Sequence, residues 1–140
     1  MVPRRRGGKS RSSEQVGEGP RLTEREAAIR AAQAADEKKA DQVVILDMRP
    51  LTVVTDYFVI CSGQSQPQVR AIARGIEEAM EQEGVPLRRR EGDDRSRWIL
   101  LDFGGVVVHV FHHAEREYYD LERLWADAPR VEWSPVSSTP

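Results

Sequence analysis

Residues 98–111 read Trp98-Ile99-Leu100-Leu101-Asp102-Phe103-Gly104-Gly105-Val106-Val107-Val108-His109-Val110-Phe111. Arg97 to Phe103 and Val106 to Phe111 are rich in strand-forming apolar residues, and the glycine pair between them is free to adopt positive φ. The segment therefore predicts a β-hairpin with a two-residue turn. Side chains alternate across a strand, so the turn sets the register and with it the two faces. Phe103 then opposes Val106, and Ile99, Leu101, Phe103, Val106, Val108 and Val110 form one wholly apolar face. The other face collects Trp98, Leu100, Asp102, Val107, His109 and Phe111, a mixture suited to contact with something other than the core.

Upstream of the hairpin, helix and strand signals follow one another. Thr23 and Glu26 have the spacing of a capping box, in which each side chain satisfies the other's free backbone amide. An Ala-rich helix follows to about Lys39. Val43 to Met48 and Asp56 to Cys61 read as strands separated by Pro50, which has no amide for a central ladder. Ser65, with Gln68 as its capping partner and Pro67 in the first turn, opens an amphipathic helix carrying Val69, Ile72, Ala73, Ile76 and Met80 that stops at Gly84. A short strand is expected over Leu87 to Arg90. After the hairpin, one helix from about Ala114, carrying Tyr118, Leu121 and Trp125, closes the unit. The order predicts a single α/β domain over residues 21–127, a mixed five-stranded sheet with flanking helices.

A chain of 140 residues has room for one modest core. Its formal net charge of −2 excludes a polybasic nucleic-acid coat and leaves any electrostatic recognition to local clusters. One such cluster is Arg4, Arg5, Arg6, Lys9 and Arg11, set among Gly and Ser, so residues 1–20 are expected to be a disordered basic arm. Residues 128–140, opened by Pro129 after Ala128, are expected to be a flexible tail. Cys61 is the only cysteine and falls in an apolar run, where a buried thiol in a reducing compartment is expected. With no apolar run long enough to span a membrane and no secretory leader, the sequence reads as cytoplasmic.

Enzyme chemistry finds little footing. A strand running into Ser62-Gly63 and then a helix is the opening of a nucleotidyltransferase fold, whose chemistry needs paired carboxylates to hold divalent ions. No Asp-x-Asp pair is present; Asp93 and Asp94 are neighbours in a charged loop, and Asp102 stands alone. His109, His112 and His113 lack a cysteine or carboxylate at metal-ligand spacing, so they read as strand and surface histidines. Gly7-Gly8-Lys9-Ser10 lacks the earlier glycine and strand of a phosphate-binding loop. Ser62 and Ser65 are explained by a turn and a cap. No catalytic residue, cofactor or metal is assigned. A nucleotidyltransferase-fold enzyme and an RNA-binding module using the basic arm stand as the alternatives.

Five blocks in order carry a resemblance: Asp41-Gln42-Val43-Val44-Ile45-Leu46-Asp47-Met48-Arg49, Thr55-Asp56-Tyr57-Phe58-Val59-Ile60-Cys61-Ser62-Gly63, Trp98 to Gly104, Val106 to Phe111, and Glu117-Tyr118-Tyr119-Asp120-Leu121-Glu122-Arg123-Leu124-Trp125. Over residues 24–127 the chain resembles the ribosomal silencing factors, the RsfS or Iojap family. The resemblance implies a nucleotidyltransferase-like fold without catalytic carboxylates. It implies binding to the large ribosomal subunit through ribosomal protein L-fourteen, steric exclusion of the small subunit and repression of translation when nutrients are scarce. It also implies a homodimer when the protein is free. The hairpin face with Trp98, Asp102, His109 and Phe111, extended by Tyr118 and Asp120, has the aromatic anchors and acidic rim expected for a basic partner. Trp98 reads equally as sheet packing, Asp120 could cap the last helical turn, and Tyr118 is expected to be half-buried. The basic arm reads either as a merely solubilising or start-site extension or as a ribosomal RNA phosphate contact. The chain departs from the family pattern at Gly105, where an acidic residue is usual, so an acidic contact carried by that position is missing.

Overall fold

Thr23 begins the first helix as its spacing predicts. Its hydroxyl accepts from the Glu26 amide at 3.0 Å while the Glu26 carboxylate accepts from the Thr23 amide at 2.8 Å. The computed structural model describes residues 22–136. The basic arm expected over residues 1–20 and the last four residues lie outside that range.

Helix α1 (Glu24–Glu37) leads into β1 (Asp41–Asp47) and β2 (Tyr57–Gly63), and α2 (Gln66–Gln82) crosses to β3 (Arg89–Glu91). The hairpin strands β4 (Trp98–Asp102) and β5 (Val106–His112) follow, then α3 (His113–Tyr119) and α4 (Leu121–Leu124). The five strands form one mixed sheet in the order β1-β2-β5-β4-β3. The β2–β5 pair is parallel and the other three pairs are antiparallel. This is the α/β architecture the sequence predicts.

The hairpin has the expected register. Asp102 pairs with Val107, the Phe103 amide donates to the Val106 carbonyl at 2.8 Å, and Gly104 takes φ +92°. Ile99, Leu101, Val106, Val108 and Val110 are fully buried on the face covered by α1 and α2. The α1 alanines face the same core, where Ile45, Val59, Ile72 and Ile76 also pack. A second, smaller cluster on the opposite face joins Leu46, Met48, Ile60 and Phe111 to Ala128, with Trp98, Phe58, Leu121 and Trp125 packed against it.

Two expectations are corrected. The closing helix is not continuous: Asp120 sits at φ 50°, ψ 53°, left-handed backbone that ends α3 and starts the short α4 at a new angle. Residues 128–136 are not a free tail either. The Asp47 amide donates to the Pro129 carbonyl at 2.7 Å, the Val131 amide to the Ile45 carbonyl at 2.9 Å, and the Trp133 indole to the Val43 carbonyl at 3.2 Å. The cause is β1 itself. An edge strand presents unpaired backbone groups, and this segment covers them.

Candidate contact face

The strand alternation that buries Leu101 turns its neighbours outward. Trp98 lies opposite Phe111, Leu100 opposite His109, and Asp102 opposite Val107, all on the face turned away from α1 and α2. Over β1 and β2 that face is covered by Ala128, Leu121 and Trp125. Over β4 it stays partly open, with Trp98, Leu100 and Asp102 each half-buried.

Trp98 is held by its surroundings. Its indole N–H donates to His109 Nδ1 at 3.2 Å, and its ring packs at 4.7 Å against both Phe111 and Tyr119. An indole can only donate, so His109 Nδ1 accepts and its proton resides on Nε2. His109 is 5% exposed, and burial pushes its pKa down to about 4, which keeps the ring neutral near pH 7. Its Nε2 has no hydrogen-bond partner among the described residues, while the Phe58 ring meets the imidazole edge-on at 4.6 Å. A tryptophan locked in this way presents its apolar edge with little rotamer freedom left to lose on binding.

The acidic groups differ from each other. Asp102 Oδ1 accepts from the Gly104 amide at 2.8 Å, which fastens the hairpin turn, and Oδ2 lies 3.8 Å from an Arg89 nitrogen. Asp120 is exposed, its side chain makes no capping bond, and it lines the polar cleft that also holds Arg116, Glu117 and Glu122.

The six residues read from the sequence thus fall into two groups. Trp98, Asp102, Tyr118 and Asp120 reach the surface, and Tyr118 is 80% exposed rather than half-buried. Phe111 is fully buried and His109 nearly so; both support Trp98 from beneath and do not offer a contact of their own. Tyr119 was not singled out, yet it is the residue that joins Trp98 to the exposed Tyr118, whose ring stands perpendicular to it at 5.0 Å. Successive helical side chains diverge, so only one of the two tyrosines can face the sheet. Which one is set by how α3 packs against the sheet, and it is Tyr119 that meets Trp98.

The other chemically suggestive groups are tied up in the fold. Arg116 is buried, donating to both Glu122 oxygens at 3.1 and 2.8 Å and to the Asp41 carbonyl and Ser62 hydroxyl at 3.2 Å. This ion pair lines a polar cleft of about 490 Å³ beside Ser62, Gln64 and Glu117. The Cys61 thiol is fully buried and burial pushes its pKa up to about 12, so it is not a thiolate. His112 Nδ1 accepts from the Ala114 amide at 3.3 Å and caps α3. Among the described residues, no three His, Cys, Asp or Glu side chains are grouped to hold a metal ion.

Gly105 has a structural counterpart in α1. A Cβ built there would fall inside the carboxylate of Glu24, so that carboxylate occupies the space of a side chain at position 105. Burial, and then the negative charge of Asp56, push the Glu24 pKa up, while Arg88 opposes the shift. An acidic group therefore stands at the hairpin turn after all, supplied by the first helix.

Residues 21–140 match the family described as "Ribosomal silencing factor during starvation". The chain is 49% identical over 108 residues to the ribosomal silencing factor RsfS of Halalkalibacterium halodurans, covering 77% of this chain and 92% of that protein. It is 52% identical over 99 residues to the ribosomal silencing factor RsfS of Bacillus subtilis, covering 71% and 84%. A crystal structure of a protein from Chromobacterium violaceum superimposes with a TM-score of 0.73 at 30% identity, over 85% of this chain and 98% of that one.

Proposed function

The chain belongs to the ribosomal silencing factor family, and on that premise we propose that it acts in the cytoplasm by binding the large ribosomal subunit and keeping the small subunit from joining. In this reading the docking partner is ribosomal protein L-fourteen, the blockade is steric, and translation is repressed when nutrients are limiting. No substrate, cofactor or turnover is involved. The Arg-rich segment around Arg4 to Arg11 adds phosphate contacts to ribosomal RNA. The free protein stores the same face in a homodimer.

The observation that carries the reading is the aromatic strip formed by Trp98, Tyr119 and Tyr118, with Asp102 on the same sheet face and Asp120 exposed at the end of α3. Large, pre-positioned aromatic side chains supply contact area at low entropic cost, and the acidic rim matches a basic ribosomal protein. The part-buried Trp98–His109 bond supports it further, because it orders the central anchor before any partner arrives.

Sedimentation with separated subunits tests this. The purified protein is expected to travel with large and not small subunits, and to lower the yield of joined ribosomes in a mixing assay. Equal binding to both subunits, or undiminished joining at saturating protein, refutes the proposal.

A further inference from the structure

The contact face accounts for the aromatic strip but not for the arginines beside it. Residues 66–77 and 88–97 carry seven arginines (70, 74, 88, 89, 90, 95 and 97) against four acidic residues (77, 91, 93 and 94), a formal excess of three in a chain whose net charge is −2. The fold gathers the centre of this set around Asp94. Arg74 Nη2 lies 3.4 Å from its carboxylate, Arg90 Nη2 lies 3.6 Å from the other oxygen, and Arg70 Nη1 donates to its carbonyl at 3.4 Å. The Gln66 amide donates to the Asp94 and Ser96 carbonyls and holds the loop against the start of α2.

Arg70 and Arg74 are far from saturated, each bonding only to Asp94 among the described residues, whereas Arg90 also engages the Gly92 carbonyl and Glu77. Each guanidinium has five donors, and Arg74 and Asp94 are 64% and 59% exposed. Exposed ion pairs at such distances contribute at most about 1 kcal/mol, so an incoming anion can share or displace the Asp94 carboxylate at small cost. Arg90 is the most firmly placed, held also by Glu77 at 2.6 Å. Edge-strand protection accounts for charge on β3, but Arg70 and Arg74 are on a helix, where it does not apply.

We infer that Arg70, Arg74 and Arg90, presented around Asp94 on the α2–β3 side of the domain, form a contact site for the phosphodiester backbone of RNA. No aromatic residue is present in either segment of this patch. A protein partner would need an apolar anchor there, whereas backbone phosphate is recognised by guanidinium groups alone. The patch also continues into the aromatic face: Arg89 on β3 pairs with Asp102 on β4, so one edge of the sheet joins the two surfaces. The inference goes beyond the proposed function and rests on it only for the source of the RNA, the large subunit itself. The domain would then grip protein with its sheet face and RNA with its edge.

The test is the salt dependence of binding by the full chain to isolated large subunits and, separately, to protein-free ribosomal RNA. Arg70→Gln/Arg74→Gln is compared with wild type and with Arg25→Gln/Arg130→Gln, which removes equal charge elsewhere. Releasing the counterions of two phosphates contributes a slope of about 1.5 in log affinity against log salt. Raising salt from about 50 to 200 mM should therefore cost the patch variant about eightfold less affinity than wild type. The control should keep the wild-type slope. An unchanged slope for the patch variant, or an equal change in the control, overturns the inference and leaves subunit binding standing. Loss of affinity for an RNA-free ribosomal protein partner, with RNA binding intact, also overturns it. If wild type ignores large subunits yet binds free RNA through these arginines, the inference holds and the proposed function fails.

Discussion

Asp102 and Leu101 are adjacent, yet the sheet sends them to opposite faces, and substituting each separately reads out the whole assignment. Leu101 is fully buried between the sheet and its helices. Leu101→Ala should destabilise the fold by about 2 to 5 kcal/mol through lost burial and a residual cavity, lowering the thermal midpoint by roughly 10 °C or more. Asp102 requires two substitutions, because its carboxylate accepts from the Gly104 amide as well as facing outward. Asp102→Asn retains an acceptor for that amide and removes only the charge. Its midpoint should stay within a degree or two of wild type, while affinity for large subunits falls roughly tenfold, the loss of one charge-assisted contact of about 1.4 kcal/mol. Asp102→Lys also loses the turn bond and places a cation beside Arg89. It should lose about 1 kcal/mol of stability and affinity by about a hundredfold. Differential scanning fluorimetry and gradient co-sedimentation provide the two readouts. An Asp102→Asn protein that binds like wild type refutes the acidic rim. A Leu101→Ala protein as stable as wild type refutes the assignment of faces.

Three more outcomes follow from the same geometry. His109 is neutral in the fold with its pKa pushed down to about 4, whereas the unfolded chain takes up a proton near the ordinary value of about 6.5. The stability this contributes is complete above that unfolded value and is lost as pH falls toward the folded one; from pH 7.5 to 5.0 the loss is about 2 kcal/mol. Urea melts at the two pH values should show this difference in wild type and not in His109→Gln; equal pH dependence in both refutes the buried neutral imidazole. Gly105→Asp should be destabilising, because its side chain collides with the Glu24 carboxylate, and Glu24→Ala should relieve it. A double-mutant cycle with a coupling below about 0.5 kcal/mol would show that the two positions do not share space. Removing residues 129–140 strips the cover from β1, including the bonds from Pro129, Val131 and Trp133. It should cost about 3 kcal/mol or more by denaturant melting; an unchanged midpoint refutes the docked segment.

Much of the fold was legible in the sequence, because its signals are local. Thr23 and Glu26 mark the first helix, and Ser65 with Pro67 marks the second, since capping is settled within one turn. Gly104-Gly105 set the register of β4 and β5, and the period of two sorted Leu101 from Asp102 without reference to the rest of the chain. That also placed Trp98, Asp102 and His109 on one face. Cys61 was readable as buried because it closes the apolar run Tyr57 to Cys61 on the strand.

What the sequence left open depends on contacts between distant segments. Polar, Pro-containing composition made residues 128–140 resemble a tail, but β1 is an edge strand whose unpaired amides and carbonyls are satisfied by residues 129–133. Nothing local at Asp120 announces the left-handed backbone that separates α3 from α4, and the choice of Tyr119 over Tyr118 for the sheet waited on how α3 packs against it. Alternation could put Phe111 and Trp98 on the same face but could not say that one is sealed beneath the other, because covering depends on what packs above each strand. The loss of an acidic residue at Gly105 likewise looked like a missing charge until α1 brought Glu24 into that space. Periodicity and capping are properties of neighbours in the chain, and the sequence determines them alone; burial depth and charge replacement are properties of neighbours in space, and only the assembled fold decides them.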